Sequence, residues 1–243
     1  SCSFPSKPIY AREGMRLEQY ERRIAAEFDA SFFVSEQEAD HFRKIAPESS
    51  QKIHAYLNGV NADYFSPERA YENPYPPGEA VLVFTGAMDY RPNIDAVLWF
   101  ADEVFPKLPG TRFYIVGSNP VETVRALSGR PGIHVTGRVP DVRPYLAHAR
   151  LAVAPLRIAR GIQNKVLEAL AMGKMVAASP QAMEGIPENA GCRVCSDAQD
   201  FVDSIGEMLD SQACAGTGRE FVLRHFDWER NLERISSHLA RAS

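Results

Sequence analysis

The chain has 243 residues, 45% of them hydrophobic and 24% charged, and a net charge of −4 at pH 7. This length can hold one large core or two small ones, and the composition is that of an ordinary soluble globular protein. A mildly acidic balance with no long basic run argues against nucleic acid as a partner, and no apolar run approaches the roughly 18 residues of a membrane span.

The chain opens on Ser1 rather than Met, and residues 1–8 lack the apolar stretch of a signal peptide. Residues 14–28 predict a charged amphipathic helix and residues 31–34 a strand. Ser35-Glu36-Gln37-Glu38 is a capping box that opens a helix to about Ile45. Residues 53–57 read as a strand running into Asn58-Gly59. This is a piece of a strand–helix sheet, too small for a core of its own. Residues 1–60 are therefore expected to be the remnant of an N-terminal domain whose remainder is missing. Pro67, Pro74, Pro76 and Pro77 make residues 61–79 a linker.

From residue 81 apolar strands alternate with amphipathic helices. Strands are predicted at 81–85, 112–116, 133–136, 151–154 and 175–178, with a last short one at 192–195. Helices are predicted at 92–105, 121–127, 141–147, 161–172 and 197–209. The 92–105 helix is expected to bury Ile94, Val97, Leu98, Ala101 and Phe105. Residues 221–239 read as a helix, a break near His225–Asp227 and a second helix, with Trp228 as a packing anchor. The expected class is α/β: a doubly wound parallel sheet over residues 80–220, then a C-terminal helical stretch at 221–243. Gly86, Gly117, Gly137 and Pro155 each follow a strand, which places them on the sheet edge where open α/β folds bind ligands.

Several motifs are set aside. Cys192 and Cys195 have C-x-x-C spacing, but on a strand they face opposite sides, and Cys2 and Cys214 supply no second ligand pair. No metal site is expected, and four cysteines without a framework suit a reducing cytoplasm. The glycines at 216 and 218 follow no strand, so they are not a dinucleotide fingerprint, and no G-x-S-x-G elbow is present.

Residues 160–173 carry the most information. Gly161 reads as a turn opening a helix that is apolar except for Asn164, Lys165 and Glu168, which share one face. A carboxylate in the setting Val-Leu-Glu-Ala-Leu-Ala is costly unless donors satisfy it, and ligand hydroxyls are one source of donors. Pairing with Lys165 inside a core helix is the other reading. Arg160, Lys165 and the N–H groups of Ile162, Gln163 and Asn164 after Gly161 would gather positive potential suited to phosphate.

Taken in order, these residues resemble glycosyltransferase family 4, the group 1 glycosyltransferases. The resemblance runs through Asn58-Gly59-Val60-Asn61, Phe84-Thr85-Gly86, Pro92-Asn93, Ile115-Val116-Gly117, Val135-Thr136-Gly137-Arg138-Val139 and Lys165-Val166-Leu167-Glu168-Ala169 to Phe226-Asp227-Trp228-Glu229. Gly86–Asn93 and Gly161–Lys165 are similar to the branch associated with exopolysaccharide and exosortase loci. The resemblance implies the GT-B architecture of two facing Rossmann-like domains, with this chain as the C-terminal, donor-binding half. It implies transfer of a sugar from a nucleoside-diphosphate sugar to an acceptor hydroxyl, with retention of configuration.

By resemblance Glu168 accepts the ribose hydroxyls, and Gly86, Asn93, Gly137, Arg138 and Val139 lie against the nucleotide. The family's first signature glutamate would fall at Arg160, so its role does not carry over. The family's cations after the first strand are replaced here by Ala87 and Pro92-Asn93, and Lys165 with Arg160 is expected to restore that charge. No catalytic residue is assigned on this chain, and no cofactor beyond the donor itself. The implied partners are a saccharide or lipid-linked saccharide acceptor and the missing N-terminal domain, in the cytoplasm at the inner face of the membrane. A non-catalytic nucleotide-binding module and a nucleotide-sugar epimerase of the same architecture are the alternatives.

Overall fold

The computed structural model of the protein describes residues 6–56, 58–78, 80–210, 217–229 and 231–232. Cys2, Cys214, the last position of the expected 53–57 strand and the expected helix beyond residue 232 lie outside the described residues. Contacts divide the chain into two units, a smaller one that includes the residues up to Asn58 and a larger one from Gly59 to Glu229.

The smaller unit holds α1 (Ser6–Glu27), β1 (Ser31–Phe33), α2 (Glu36–Ile45) and β2 (Ile53–Ala55), with the two strands parallel. The Ser35 hydroxyl caps α2 by accepting the Glu38 N–H at 3.2 Å. Arg43 in the last turn of α2 donates through Nε and Nη2 to the Ile53 carbonyl, at 3.2 and 2.8 Å, and so ties helix to strand. The sequence predicts no core for this region. Ala25, Ala39, Phe42, Ala46 and Ile53 nevertheless form a small one, while Ile9, Tyr10, Met15, Leu17 and Tyr20 on α1 stay exposed.

The larger unit is a six-stranded parallel sheet in the order β5-β4-β3-β6-β7-β8. Its strands are β3 (Ala80–Thr85), β4 (Thr111–Val116), β5 (Ile133–Gly137), β6 (Leu151–Ala154), β7 (Val176–Ala178) and β8 (Cys192–Val194). The helices between and after them are α3 (Arg91–Trp99), α4 (Glu122–Arg125), α5 (Arg143–His148), α6 (Asn164–Ala171), α7 (Ala198–Asp210) and α8 (Thr217–His225). β6 and β7 are buried throughout, as expected for apolar strands covered on both faces. The chain builds outward from β3 to β5, then returns to place β6 against the other side of β3. This reversal opens a crevice at the carboxyl ends of β3 and β6.

Three details differ from the sequence-based expectations. First, the helix after β3 buries Asn93, Ala96, Val97, Phe100, Ala101 and Val104, with the chain passing through a π turn at Phe100–Val104. Ile94 and Leu98 are only half-buried. The stripe is displaced because Asn93 faces inward at 4% exposure, its amide satisfied by protein groups. Second, residues 61–78 are not a free linker: Tyr75 is buried and its hydroxyl donates to the Tyr145 carbonyl at 2.6 Å. Arg219 on α8 donates Nη1 to the carbonyls of Ala62, Phe65 and Ala171, fastening this segment to the end of α6. Third, α6 starts at Asn164 rather than at Gly161.

The break after α8 is where it was expected. Val60 donates to the Phe226 carbonyl at 2.8 Å, and a Cβ on Gly59 would lie 2.7 Å from Trp228 Cε3, so Trp228 packs on the glycine of Asn58-Gly59.

Past the strand ends the ladder continues. Gly86 N–H donates to Val116 O (3.0 Å), Met88 N–H to Ser118 O (2.7 Å) and Gly117 N–H to Gly137 O (3.2 Å). The turns approach so closely that a Cβ on Gly117 would fall 1.7 Å from the Gly86 carbonyl oxygen. Gly117→Ala is therefore expected to destabilise the larger unit by about 3 kcal/mol. Gly206→Ala, mid-helix in α7 with no atom within 4 Å of the added Cβ, should stabilise it by about 0.5–1 kcal/mol. Urea unfolding of both variants checks the contrast.

Candidate functional site

The crevice contains a cavity of about 570 Å³ lined by the carboxyl ends of three strands and the start of α6. β3 contributes Thr85 and Gly86, β4 contributes Val116 with Gly117 and Ser118, and the turn after β5 contributes Arg138, Val139 and Val142. Ile162, Gln163, Asn164, Lys165 and Glu168 close it from the α6 side, with Asn93 from α3. This volume is in the range of small-molecule sites.

The charged groups are arranged unusually. Lys165 Nζ donates to Asn93 Oδ1 at 2.5 Å and lies 4.6 Å from the centre of the Phe84 ring, so its side-chain partners are a neutral amide and an aromatic face. Burial pushes its pKa down to about 8, against the opposing pull of the Glu168 charge. Burial likewise raises the Glu168 carboxyl above the usual range, with Lys165 working the other way. Among the described residues the Glu168 carboxylate makes no hydrogen bond and no ion pair. The internal Lys165–Glu168 bridge left open by the sequence does not form.

The start of α6 adds donors. Gln163 occupies the N-cap with extended backbone and caps with no side-chain bond. The N–H groups of Asn164 and Lys165 in the first turn have no intrahelical acceptor, and the helix dipole adds positive potential at this end. The cavity thus presents an ammonium and free N–H donors beside an unsatisfied carboxylate. That combination suits a ligand carrying both an anion and hydroxyl donors.

Of the residues expected from the sequence, Gly86, Asn93, Arg138, Val139, Ile162, Gln163, Asn164, Lys165 and Glu168 meet at this cavity. Gly137, Arg160 and Gly161 are not among its lining residues. Gly137 lies in the ladder, its carbonyl taken by Gly117. Gly161 turns the chain at φ +67°, and Gln163 Nε2 donates to the Arg160 and Gly161 carbonyls at 3.2 and 3.0 Å. That closed turn leaves Arg160 exposed. Thr85, Val116, Ser118 and Val142 line the cavity without having been singled out. The strand-end rule that selected Gly86 and Gly117 would have reached their neighbours.

The thiols of Cys192 and Cys195 stand apart from the cavity, and burial pushes them up to about 12 and about 11, so both are protonated at neutral pH. Among the described residues no three His, Cys, Asp or Glu side chains gather at metal-binding distance, and no helix is long and apolar enough to cross a membrane.

The fold has many relatives among solved structures. A glycosyltransferase from Rickettsia africae superposes with a TM-score of 0.71 at 17% identity, over 92% of this chain and 67% of that one. Sucrose-phosphate synthase from Thermosynechococcus elongatus gives 0.69 at 22% identity, over 93% and 62%. Anabaena HepE, solved in complex with UDP and glucose, gives 0.69 at 12% identity, over 92% and 66%. The chain thus spans about two thirds or less of the length of these proteins, and at such identities the likeness concerns the fold. It agrees with the expected Rossmann-like domain of GT-B type. No curated protein matches the chain by sequence. The profile described as glycosyl transferases group 1 matches residues 79–211, more than half of the chain, and the chain belongs to that family.

Proposed function

We propose that the cavity holds the donor of a glycosyl transfer, a nucleoside-diphosphate sugar whose sugar passes to an acceptor hydroxyl in polysaccharide or glycoconjugate synthesis. The observation that carries this reading is that Lys165 and Glu168, one turn apart on α6 and facing one cavity, make no ion pair with each other, Lys165 being held by the neutral Asn93. A diphosphate supplies the counter-charge for the ammonium, and ribose hydroxyls supply donors for the carboxylate. The complex of HepE with UDP and glucose, on the same fold, supports a nucleotide-sugar donor.

The chemistry follows from the charges. As the bond from the sugar to the diphosphate breaks, negative charge grows on the leaving phosphate oxygens. The Lys165 ammonium and the first-turn N–H groups of α6 stabilise that charge, and being fixed in place they need little reorganisation. Val139, Val142 and the exposed Arg138 flank the nucleotide. Among the described residues Glu168 is the one carboxylate lining the cavity, and it is assigned to the ribose. Retention therefore proceeds without a glycosyl–carboxylate intermediate on this chain. The acceptor, a saccharide or a lipid-linked saccharide, is brought by an N-terminal domain at the cytoplasmic face of the membrane, and this chain alone binds donor without turnover.

A thermal-shift screen with UDP, GDP, ADP and their sugars tests the reading. One nucleotide series should raise the melting temperature in a concentration-dependent way, and no shift with any of them overturns it. In titrations with that nucleotide, Lys165→Ala and Glu168→Ala should each lower affinity about tenfold or more. Arg160→Ala should leave it within about twofold.

The pH dependence has a defined sign. Lys165 is a cation below about 8 and loses its proton above, while bound phosphate favours the cation. Binding therefore takes up protons in alkaline solution. Affinity for the diphosphate should fall about tenfold between roughly pH 7.5 and 9.5, and Lys165→Met should remove that dependence. Calorimetric titration across this window is the measurement.

A further inference from the structure

Asn93 is a buried polar residue at the head of α3, and both ends of its amide are committed to the protein. Nδ2 donates to the Ala87 carbonyl at 2.9 Å, while Oδ1 accepts from Lys165 Nζ at 2.5 Å. The two partners fix the amide's orientation. Turned over, it would set its NH₂ against an ammonium and its oxygen against a carbonyl. The amide also packs closely on the turn after β3, where a Cβ on Gly86 would lie 2.6 Å from Asn93 Nδ2.

The acceptor that Lys165 receives is therefore neutral. Facing the ammonium are Phe84 from β3, Asn93 from α3 and Glu168 one turn along its own helix. Arg138, after β5, is the other titratable side chain lining the cavity. An aspartate in place of Asn93 would cancel the ammonium's charge and repel a phosphate. Removing the amide altogether would leave the ammonium without its hydrogen-bond acceptor. Resting on the donor-site reading above, we infer that Asn93 is a positioning residue. From the cavity lining it holds the Lys165 ammonium in place with an uncharged acceptor, leaving the positive charge available to the diphosphate.

The test reads Lys165 directly, without ligand. Acetylation of Lys165 by acetic anhydride is followed by peptide mass spectrometry between about pH 6 and 11, which gives the midpoint of its titration. Asn93→Asp should move the midpoint up by about one unit or more, and Asn93→Ala should move it down. Opposite shifts from one position are not the result of loosened packing. In parallel, Asn93→Asp should lower UDP affinity about tenfold at neutral pH without a matching loss for uridine.

Unchanged midpoints in both variants, or equal losses for UDP and uridine, overturn the assignment. Should Asn93→Asp not fold, the direction of the Asn93→Ala midpoint decides alone. Wild-type protein that binds none of UDP, GDP and ADP overturns the donor-site reading. The labelling midpoints still report whether Asn93 sets the state of Lys165.

Discussion

A lysine and a glutamate one turn apart on α6 face the same cavity without neutralising each other, and the remaining features of the site arrange themselves around that fact. At this spacing on an exposed helix the two would pair for a few tenths of a kcal/mol. In a half-buried setting the attraction is stronger, yet Lys165 is held by Asn93 and Phe84 instead. Each charge is partly desolvated, which is unfavourable unless partners satisfy it. The arrangement becomes favourable when a ligand brings an anion to one and hydroxyls to the other. Perturbed titratable groups that share a cleft are the usual mark of such a trade of local stability for ligand affinity.

The sheet makes this arrangement possible. Reversal of strand order at β3 and β6 opens the crevice, and the turns after β3, β4 and β5 are fused by backbone hydrogen bonds beyond the strand ends. Glycine at position 117 lets the β4 turn touch the Gly86 carbonyl, so the cavity floor is closely packed, hydrogen-bonded backbone. The wall formed by residues 138–142 is braced from behind. Arg143 makes a forked contact to Asp141, which it holds below the usual carboxylate range, and lies 3.7 Å from the centre of the Tyr64 ring. The segment at 61–78 thus does more than connect: through Tyr64, Tyr75 and the carbonyls taken by Arg219 it buttresses the site.

What the sequence made legible was periodicity and placement. Alternation of apolar strands with amphipathic helices, and glycines just past strand ends, located the sheet and the edge at which the cavity lies. The isolated Glu168 marked the cavity because a lone carboxylate in an apolar helix needs donors. What stayed hidden depends on contacts between distant positions. Asn93 was expected beside the nucleotide by resemblance alone, and nothing local reveals that Ala87 and Lys165 will satisfy its amide. The proline-rich stretch at 61–78 looked like a linker, because prolines forbid regular structure but do not forbid packing. Arg160 looked like a ligand group because the helix was expected to begin at Gly161. The Gln163 side chain closes the turn first, and the helix starts three residues later.

These departures form a connected set. By the resemblance read from the sequence, Ala87 and Pro92-Asn93 stand where the family carries cations, and Lys165 lies in the first turn of α6. Each change alone would weaken a phosphate site or strand a charge. Without Lys165 the described lining of the cavity keeps Arg138, after β5, as its cationic side chain. Without Asn93 the buried lysine has no hydrogen-bond acceptor beyond an aromatic face. With a carboxylate at position 93 the charge would be spent internally. The combination sets the cation at the head of a helix, where the dipole and free N–H groups reinforce it. The neutral end of the bridge, Asn93, stands on α3, after β3.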